Sequence, residues 1–379
     1  MTTYSLSIHA DYRCRHSGVC CSADWDVPVE LPVYRSLTDA LAAGTLRMSP
    51  DADGGSAAFM TEPDFREDAA AMLERTHAGA CVFFEHGSRL CVVHRDMGEL
   101  ALPATCRHFP RIALCDARGT FIALSHFCPT AASMLFRDDV PLEIVREPAA
   151  FPPAEYEGLV VNNDAWPPLL HPRMLMDLDG YSAWERHMVA RCRDVTRSPE
   201  SVVATLARDA GLVKAWRPGG RSLAETVLAL PVTVVEEAAH ATLGASLKRY
   251  GEVLAAIPED LQSPRDEQDL DVAFSRLVRP VWDEFRAPLN RYLAAKAFAT
   301  WTAYQGRGLA TIVRGLEAAL ALVRVEAGRE CRAADRRLDA ALLLEAFRSA
   351  DYLLNHLATS EALAELWSTA EGVVGSFDS

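Results

Sequence analysis

Eight of the ten cysteines lie between residues 14 and 128, and only Cys192 and Cys331 fall in the remaining two thirds of the chain. Evenly spread cysteine would read as small buried hydrophobes. Where thiols are kept reduced, a cluster like this one more often binds metal or does redox chemistry than forms disulfides. The first residues carry no basic stretch followed by an apolar one, so no secretory signal is visible and a cytoplasmic location is expected. No apolar run approaches the roughly 18–20 residues that span a bilayer.

The 379 residues are 50% hydrophobic and 24% charged, which excludes wholesale disorder and leaves chain for two or three domains. With 38 basic and 52 acidic residues the net charge is −14. Such a surface repels nucleic-acid backbones and anionic membranes, and favours a basic partner such as a lysine-bearing protein.

Residues 1–147 form the cysteine-rich part. Tyr4, Leu6 and Ile8 alternate with polar residues, as do residues 25–32, and both stretches read as extended. Helices are expected over 33–43, ended by Gly44, and over 64–78, with a turn at 51–56. Six prolines in 148–172 mark a linker. Residues 173–379 read as helical. Ser182 with Glu185 and Ser222 with Glu225 look like capping boxes, Ser198-Pro199-Glu200 opens a helix closed by Gly211, and 258–269 is a polar loop. Apolar spacing then predicts helices over 270–327 and 338–366. The expected fold is mainly α: an irregular α+β cysteine-cluster domain followed by a helical domain.

Three segments carry the chemistry. The first runs from Cys14 through Gly18 to Cys20, Cys21 and Trp25. The second runs from Cys81 through Gly87 to Cys91 and His94. The third holds Thr105-Cys106-Arg107-His108-Phe109-Pro110-Arg111, followed by Ser125-His126-Phe127-Cys128-Pro129. Glycines beside the sulfurs let the backbone turn and aim N–H groups at them, a way of tuning an iron–sulfur centre. A structural zinc site announces itself by two close Cys-x2–4-Cys pairs, and none is present. Thiolates from dispersed loops suit an iron–sulfur cluster, with zinc as the alternative.

These segments resemble the flagellin lysine-N-methylases, within a wider cysteine-cluster group described as zinc- or iron-chelating. The resemblance covers residues 12–136 and continues more loosely at Arg291-Tyr292-Leu293 and Tyr352-Leu353-Leu354-Asn355-His356. It implies an iron–sulfur centre, of the 4Fe–4S kind, and methyl transfer from S-adenosylmethionine to protein lysines, with flagellin or another protein as substrate. The chain departs from the family in three places. The family's first segment usually has one more cysteine between the positions of Cys14 and Cys20, Val82 stands where its second segment often has proline, and Cys115 has no counterpart. The alternative reading is a non-catalytic iron- or zinc-binding protein with a structural or redox-sensing role.

Cys14, Cys20, Cys21, Cys81, Cys91, Cys106 and Cys128 match the pattern, more than the four thiolates a cubane needs. Cys21, Cys91, Cys106 and Cys128 rank first, because the strongest local motifs surround them. Cys115, Cys192 and Cys331 read as ordinary buried thiols. His94, His108 and His126 each lie within three residues of a ranked cysteine, as ligand or as supporting donor. Arg107 and Arg111 suit compensation of a thiolate cluster or capture of a methyl donor's carboxylate, and Trp25 a cover for the site or a lysine channel. Trp282, Tyr292, Trp301 and Tyr304 could cage a cation, although core packing is the simpler reading. No G-x-G-x-x-G follows a strand, so a Rossmann-type methyl-donor site is unsupported.

Overall fold

The computed structural model describes residues 1–23, 25–50, 52, 57–61, 69–161, 167–236, 243–261 and 269–372. Up to residue 110 the elements are short: β1 (Thr3–Leu6), α1 (Val19–Ser22), β2 (Pro28–Val29), α2 (Leu31–Ala42), β3 (Phe59–Met60), β4 (Ala71–Leu73), β5 (Phe84–Glu85), β6 (Leu90–Cys91), α3 (Val92–Met97) and α4 (Ala104–His108). The next stretch holds β7 (Arg111–Asp116), β8 (Gly119–Leu124), α5 (Pro129–Met134), β9 (Ile144–Arg146), β10 (Gly158–Val160), β11 (Leu169–His171) and β12 (Met174–Leu175). The rest is helical: α6 (Leu178–Cys192), α7 (Pro199–Lys214), α8 (Leu223–Leu228), α9 (Leu243–Leu254), α10 (Leu270–Ala273), α11 (Arg286–Ala297), α12 (Thr302–Gln305), α13 (Leu309–Ala334), α14 (Ala340–Tyr352) and α15 (Ser360–Gly372). In all the fold is mixed α+β, 52% helix and 12% strand.

The main sheet runs β10-β7-β8-β1-β9. β7 and β8 form a hairpin from Arg111 opposite Leu124 to Asp116 opposite Gly119, and β1 lies parallel to β8. Every residue of β8 is buried, as a central strand covered on both faces must be. The sheet shares one hydrophobic core with the helices: Leu6, Leu114 and Phe121 pack in the same cluster as Trp184, Tyr292, Leu322 and Phe347. That core runs across the expected boundary at 148–172, where β10 adds an edge strand parallel to β7. A separate core lies under the cysteine segments, built from Val27, Val29, Leu37, Phe83, Phe84 and Val92 among others.

Several local expectations change. Within the described part of 64–78 there is no helix. Ala71–Leu73 is a strand between β2 and β3, with Ala71 and Leu73 buried and Met72 between them half-buried. Helix propensity here yields to burial on a small sheet, the usual outcome when tertiary packing opposes a weak local preference. Residues 25–32 extend only briefly, because Pro32 sits in the first turn of α2. The α6 helix starts earlier than Ser182: the Asp177 carboxylate accepts from the Gly180 N–H as its cap. Ser182 instead bonds the Leu178 carbonyl from within the helix, at 2.7 Å. The helix opened by Ser198 passes through Gly211 to Lys214. The Ser222–Glu225 capping box is formed. In 258–269 a 3-10 turn occupies Glu259–Leu261; residues 262–268, 62–68 and most of the turn expected at 51–56 lie outside the described residues.

Candidate metal centre

Gly18 starts the site. It has φ +76°, and a Cβ there would stand 2.6 Å from Phe84 Cε2, so the loop from Cys14 closes onto the β5–β6 hairpin only because residue 18 has no side chain. The short α1 then presents Cys20 and Cys21. The Cys81 N–H donates to the Cys21 carbonyl at 2.7 Å, locking the second segment to the first. Cys91 lies opposite Phe84 in the hairpin and leads into α3. Cys106 sits on α4, whose first N–H, from Ala104, donates to Glu30 Oε1 at 2.9 Å. Cys128 precedes α5, and Tyr12 Oη lies 3.6 Å from its sulfur.

These segments enclose a cavity of about 480 Å³. All seven cysteines of the motif line it, and Cys115, Cys192 and Cys331 do not. Arg107, Arg111, His16 and His94 also line it. Trp25 lies beside it rather than on its wall, with its ring against Phe109 at 5.2 Å, Phe127 at 5.4 Å and His356 at 4.7 Å. His126 and His108 face elsewhere, one buried beside His9 and Asp351, the other on a neighbouring cavity.

The sulfurs differ in their electrostatics. Cys20 and Cys21 stand 3.9 Å apart. Cys21 also meets Cys91 and keeps its proton well above the usual thiol range, donating between the two. That hydrogen bond draws Cys91 down to about 7 against the opposing effect of burial, helped by the N–H groups of His94 and Val93. Cys20 is lowered by the same neighbour. Burial pushes Cys81 up to about 12 and holds Cys106 well above its ordinary value. The chamber therefore holds low-pKa and high-pKa thiols side by side, and ligation would displace the protons that remain.

Among the described residues no three Cys, His, Asp or Glu side chains converge on a point suited to one metal ion. A zinc site needs four donors about 2.3 Å from a single centre. A metal–sulfide core instead takes its thiolates at separate corners, and the seven thiols on the chamber lining are the donors present for one.

A second cavity, about 950 Å³, shares Phe109 and Arg111 with the first. Lys296, Phe298, Trp301, His356 and Trp367 are on its lining. Behind it lies a buried network that sequence reading missed. Lys296 Nζ is 2.6 Å from Asp351 Oδ1, Tyr292 Oη donates to the same oxygen at 2.8 Å, and the His126 N–H donates to Asp351 Oδ2 at 2.6 Å. Ser125 Oγ and His356 Nε2 are 2.8 Å apart, and Arg348 Nε donates to the Phe127 carbonyl at 3.1 Å. The last helices thus hold the segment Ser125–Cys128 in place. No family model, curated protein or solved structure matches the chain.

The four aromatics belong to the main core, the simpler of the two readings given for them. Trp282 Nε1 donates to Glu200 at 3.0 Å, Tyr292 to Asp351, Tyr304 to Asp116 and Trp301 Nε1 to the Ala113 carbonyl at 3.0 Å. Each spends its polar end on the core, and of the four only Trp301 also lines the second cavity.

Proposed function

We propose that the protein holds an iron–sulfur cluster in the seven-thiol chamber and methylates lysines of a partner protein with S-adenosylmethionine. One observation supports the metal centre above all: the seven motif cysteines, drawn from four separate stretches of chain, line one cavity, and the other three do not. The reaction rests on the motif resemblance, and a second cavity that shares Arg111 with the first supports it. A bound cluster supplies fold stability and a redox-active centre. The chain's own part in methyl transfer is binding and orientation. Arg107 and Arg111 offer guanidinium groups to a carboxylate, and the apolar wall of Phe298 and Trp301 would lower the pKa of an entering lysine amine, leaving it nucleophilic. Holding amine and methyl group in line supplies much of the rate.

The test has two arms. Anaerobically purified protein should be brown and contain iron and acid-labile sulfide in comparable amounts; colourless protein with stoichiometric zinc would overturn the cluster. Calorimetry should detect S-adenosylmethionine, and mass spectrometry of the host proteome should show +14 Da steps on lysine that vanish without this protein. A structural or redox-sensing role is the alternative, supported by how tightly the cysteine segments interlock. It becomes the better reading if the methyl donor does not bind and lysine methylation is unchanged.

A further inference from the structure

Among the described residues the main sheet ends at β10, which pairs with β7 alone. The Val161 N–H donates to the Cys115 carbonyl at 2.8 Å, so the backbone of Leu159 and Val161 faces β7. A strand turns successive N–H and C=O groups to opposite sides, which leaves those of Gly158 and Val160 facing away from the sheet. Val160 is 60% exposed. Edge strands are ordinarily kept from pairing with other chains by charge or proline. The opposite edge, β9, ends in Arg146 and runs into Glu147 and Pro148. β10 reads Gly158-Leu159-Val160, followed by Val161, and carries neither device. Both edge strands are three residues long, so sequence alone sets them apart. The free edge runs beside the 950 Å³ cavity, whose lining includes Glu157, Gly158 and Leu159. Trp301, on the same lining, stands at this seam: its Nε1 donates to the Ala113 carbonyl at 3.0 Å, and a Cβ on Gly158 would lie 2.1 Å from that same oxygen. Glycine lets β10 close onto β7 and puts no side chain of its own beside the indole. The approach to the edge is acidic. Glu155 and Glu157 are exposed, and no lysine or arginine occurs between residues 147 and 161. His108 lies 3.7 Å from Glu157, but burial lowers its pKa, so it is neutral at pH 7.

We propose that an extended, lysine-bearing peptide segment adds to β10 as a further strand, and that its residue beside Gly158 lays a lysine side chain along Trp301 into the cavity. Backbone hydrogen bonds to Gly158 and Val160 supply the docking, the mode by which a free sheet edge takes up a peptide. Selection comes from the acidic approach and from the indole, which suits both the apolar stem and the cationic head of lysine. That the captured lysine is then methylated rests on the function proposed above; the docking itself rests on the sheet edge.

The experiment titrates the full metal-loaded chain with a fluorescent peptide of alternating lysine and threonine. Val160→Pro removes the outward N–H but no bond to β7, so the melting temperature should hold while peptide binding weakens about tenfold, the scale of one lost hydrogen bond. Val160→Thr keeps the N–H and should bind as the wild type does. A peptide methylated on alternate backbone nitrogens should lose affinity to the same degree with the wild-type protein, and this arm decides the matter if Val160→Pro fails to fold. Replacing each lysine by glutamine should weaken the peptide, and Trp301→Leu should narrow that difference. Hydrogen-exchange mass spectrometry should show protection over residues 158–161 that depends on the peptide. If Val160→Pro and the backbone-methylated peptide bind as their parents do, or no peptide binds, the docking is wrong and the methyl-transfer reading is untouched. Binding that fades in salt yet ignores Val160→Pro would reduce the contact to surface charge and overturn the docking as well. If the peptide binds with the expected sensitivity but gains no +14 Da step from S-adenosylmethionine, the docking stands and the methyl-transfer reading falls.

Discussion

The seven chamber cysteines are the side chains whose loss should be felt most. Cys106→Ser should lose metal and lower the melting temperature, because a site gathered from distant loops couples binding to folding. Cys331 is buried in the helical core and is not on the chamber lining, so Cys331→Ser should keep its metal. Equal iron content in the two purified variants would remove the assignment. Gly18→Ala should be as damaging as losing a ligand: it forces a side chain into left-handed backbone, at about 1–2 kcal/mol, and drives a methyl into the Phe84 ring. A circular dichroism melt and an iron assay on that variant would show both losses, and a wild-type result in each would mean the loop adapts. The cysteines themselves were legible because a motif fixes both residue type and order. Asp351 and Lys296 were not, because a lone Asp and a lone Lys on apolar helices carry no local signal until the fold pairs them. Trp25 was chosen for its place in the motif, yet the structure gives it to the joint with His356.

At the scale of elements, the joint between the segment Ser125–Cys128 and the end of α14 should respond to pH. Burial lowers His356 to about 4, and it lowers His126 and His9 as well. A histidine kept neutral by folding contributes stability above its unfolded pKa of about 6.5, and that contribution fades as pH falls toward the folded value. Burial pushes Asp351 up, but Lys296 and His126 outweigh it and hold the carboxylate well below its usual value. Its contribution is complete above the ordinary carboxylate range and is lost at still lower pH. Both effects share a sign, so the urea midpoint should drop steadily from pH 7 to pH 4; a flat profile would contradict the burial of these groups. Asp351→Asn should cost about 3–5 kcal/mol, since it strands the Lys296 ammonium in a buried site. Chemical denaturation at pH 7 reads this directly, and a loss within error would show that the pair is unimportant. Here sequence reading served unevenly. Capping residues marked the start of α7 and α8 because caps are local chemistry. The strand at Ala71–Leu73 was read as helix because its partners at Val29 and Phe59 are remote, and pairing with them decides the outcome.

Across the whole molecule, three cores divide the work. The largest joins the main sheet to the helices, Cys21, Cys81, Cys91 and Cys106 rest on a small core of their own, and Cys128 packs in a third cluster with Tyr12, Ile122 and Phe151. A core that size rarely sustains a fold unaided, and natural proteins supplement it with a metal or disulfides. All ten cysteines are free thiols here, and the metal proposed above would be such a supplement. The composition already hinted at this division, with thiols crowded into the first third and helix formers beyond; the sharing of β1, β7 and β8 with the helical core was hidden, because a strand's sequence does not say which layer will cover it. Net charge of −14 adds a prediction about the partner: binding of a lysine-rich peptide should weaken as salt shortens the Debye length to about 8 Å at 0.15 M. Titrating peptide at several ionic strengths checks it, and salt-independent binding would mean that the surface charge steers nothing. The division into separate cores makes the sharpest forecast. Removing metal with a chelator should release amide-exchange protection over the described residues of 14–109 while α13, buried along most of its length, stays protected. The reasoning is that most ligation energy would enter the small core that carries Cys21, Cys81, Cys91 and Cys106, whereas Cys128 is already held by the helices, which keep their own hydrophobic area. Hydrogen-exchange mass spectrometry of holo and chelated protein resolves the two regions. Protection lost uniformly would mean that the cores fold as one cooperative unit. Protection lost nowhere would mean that the chamber is stable without its metal, and its role would then have to be sought in chemistry alone.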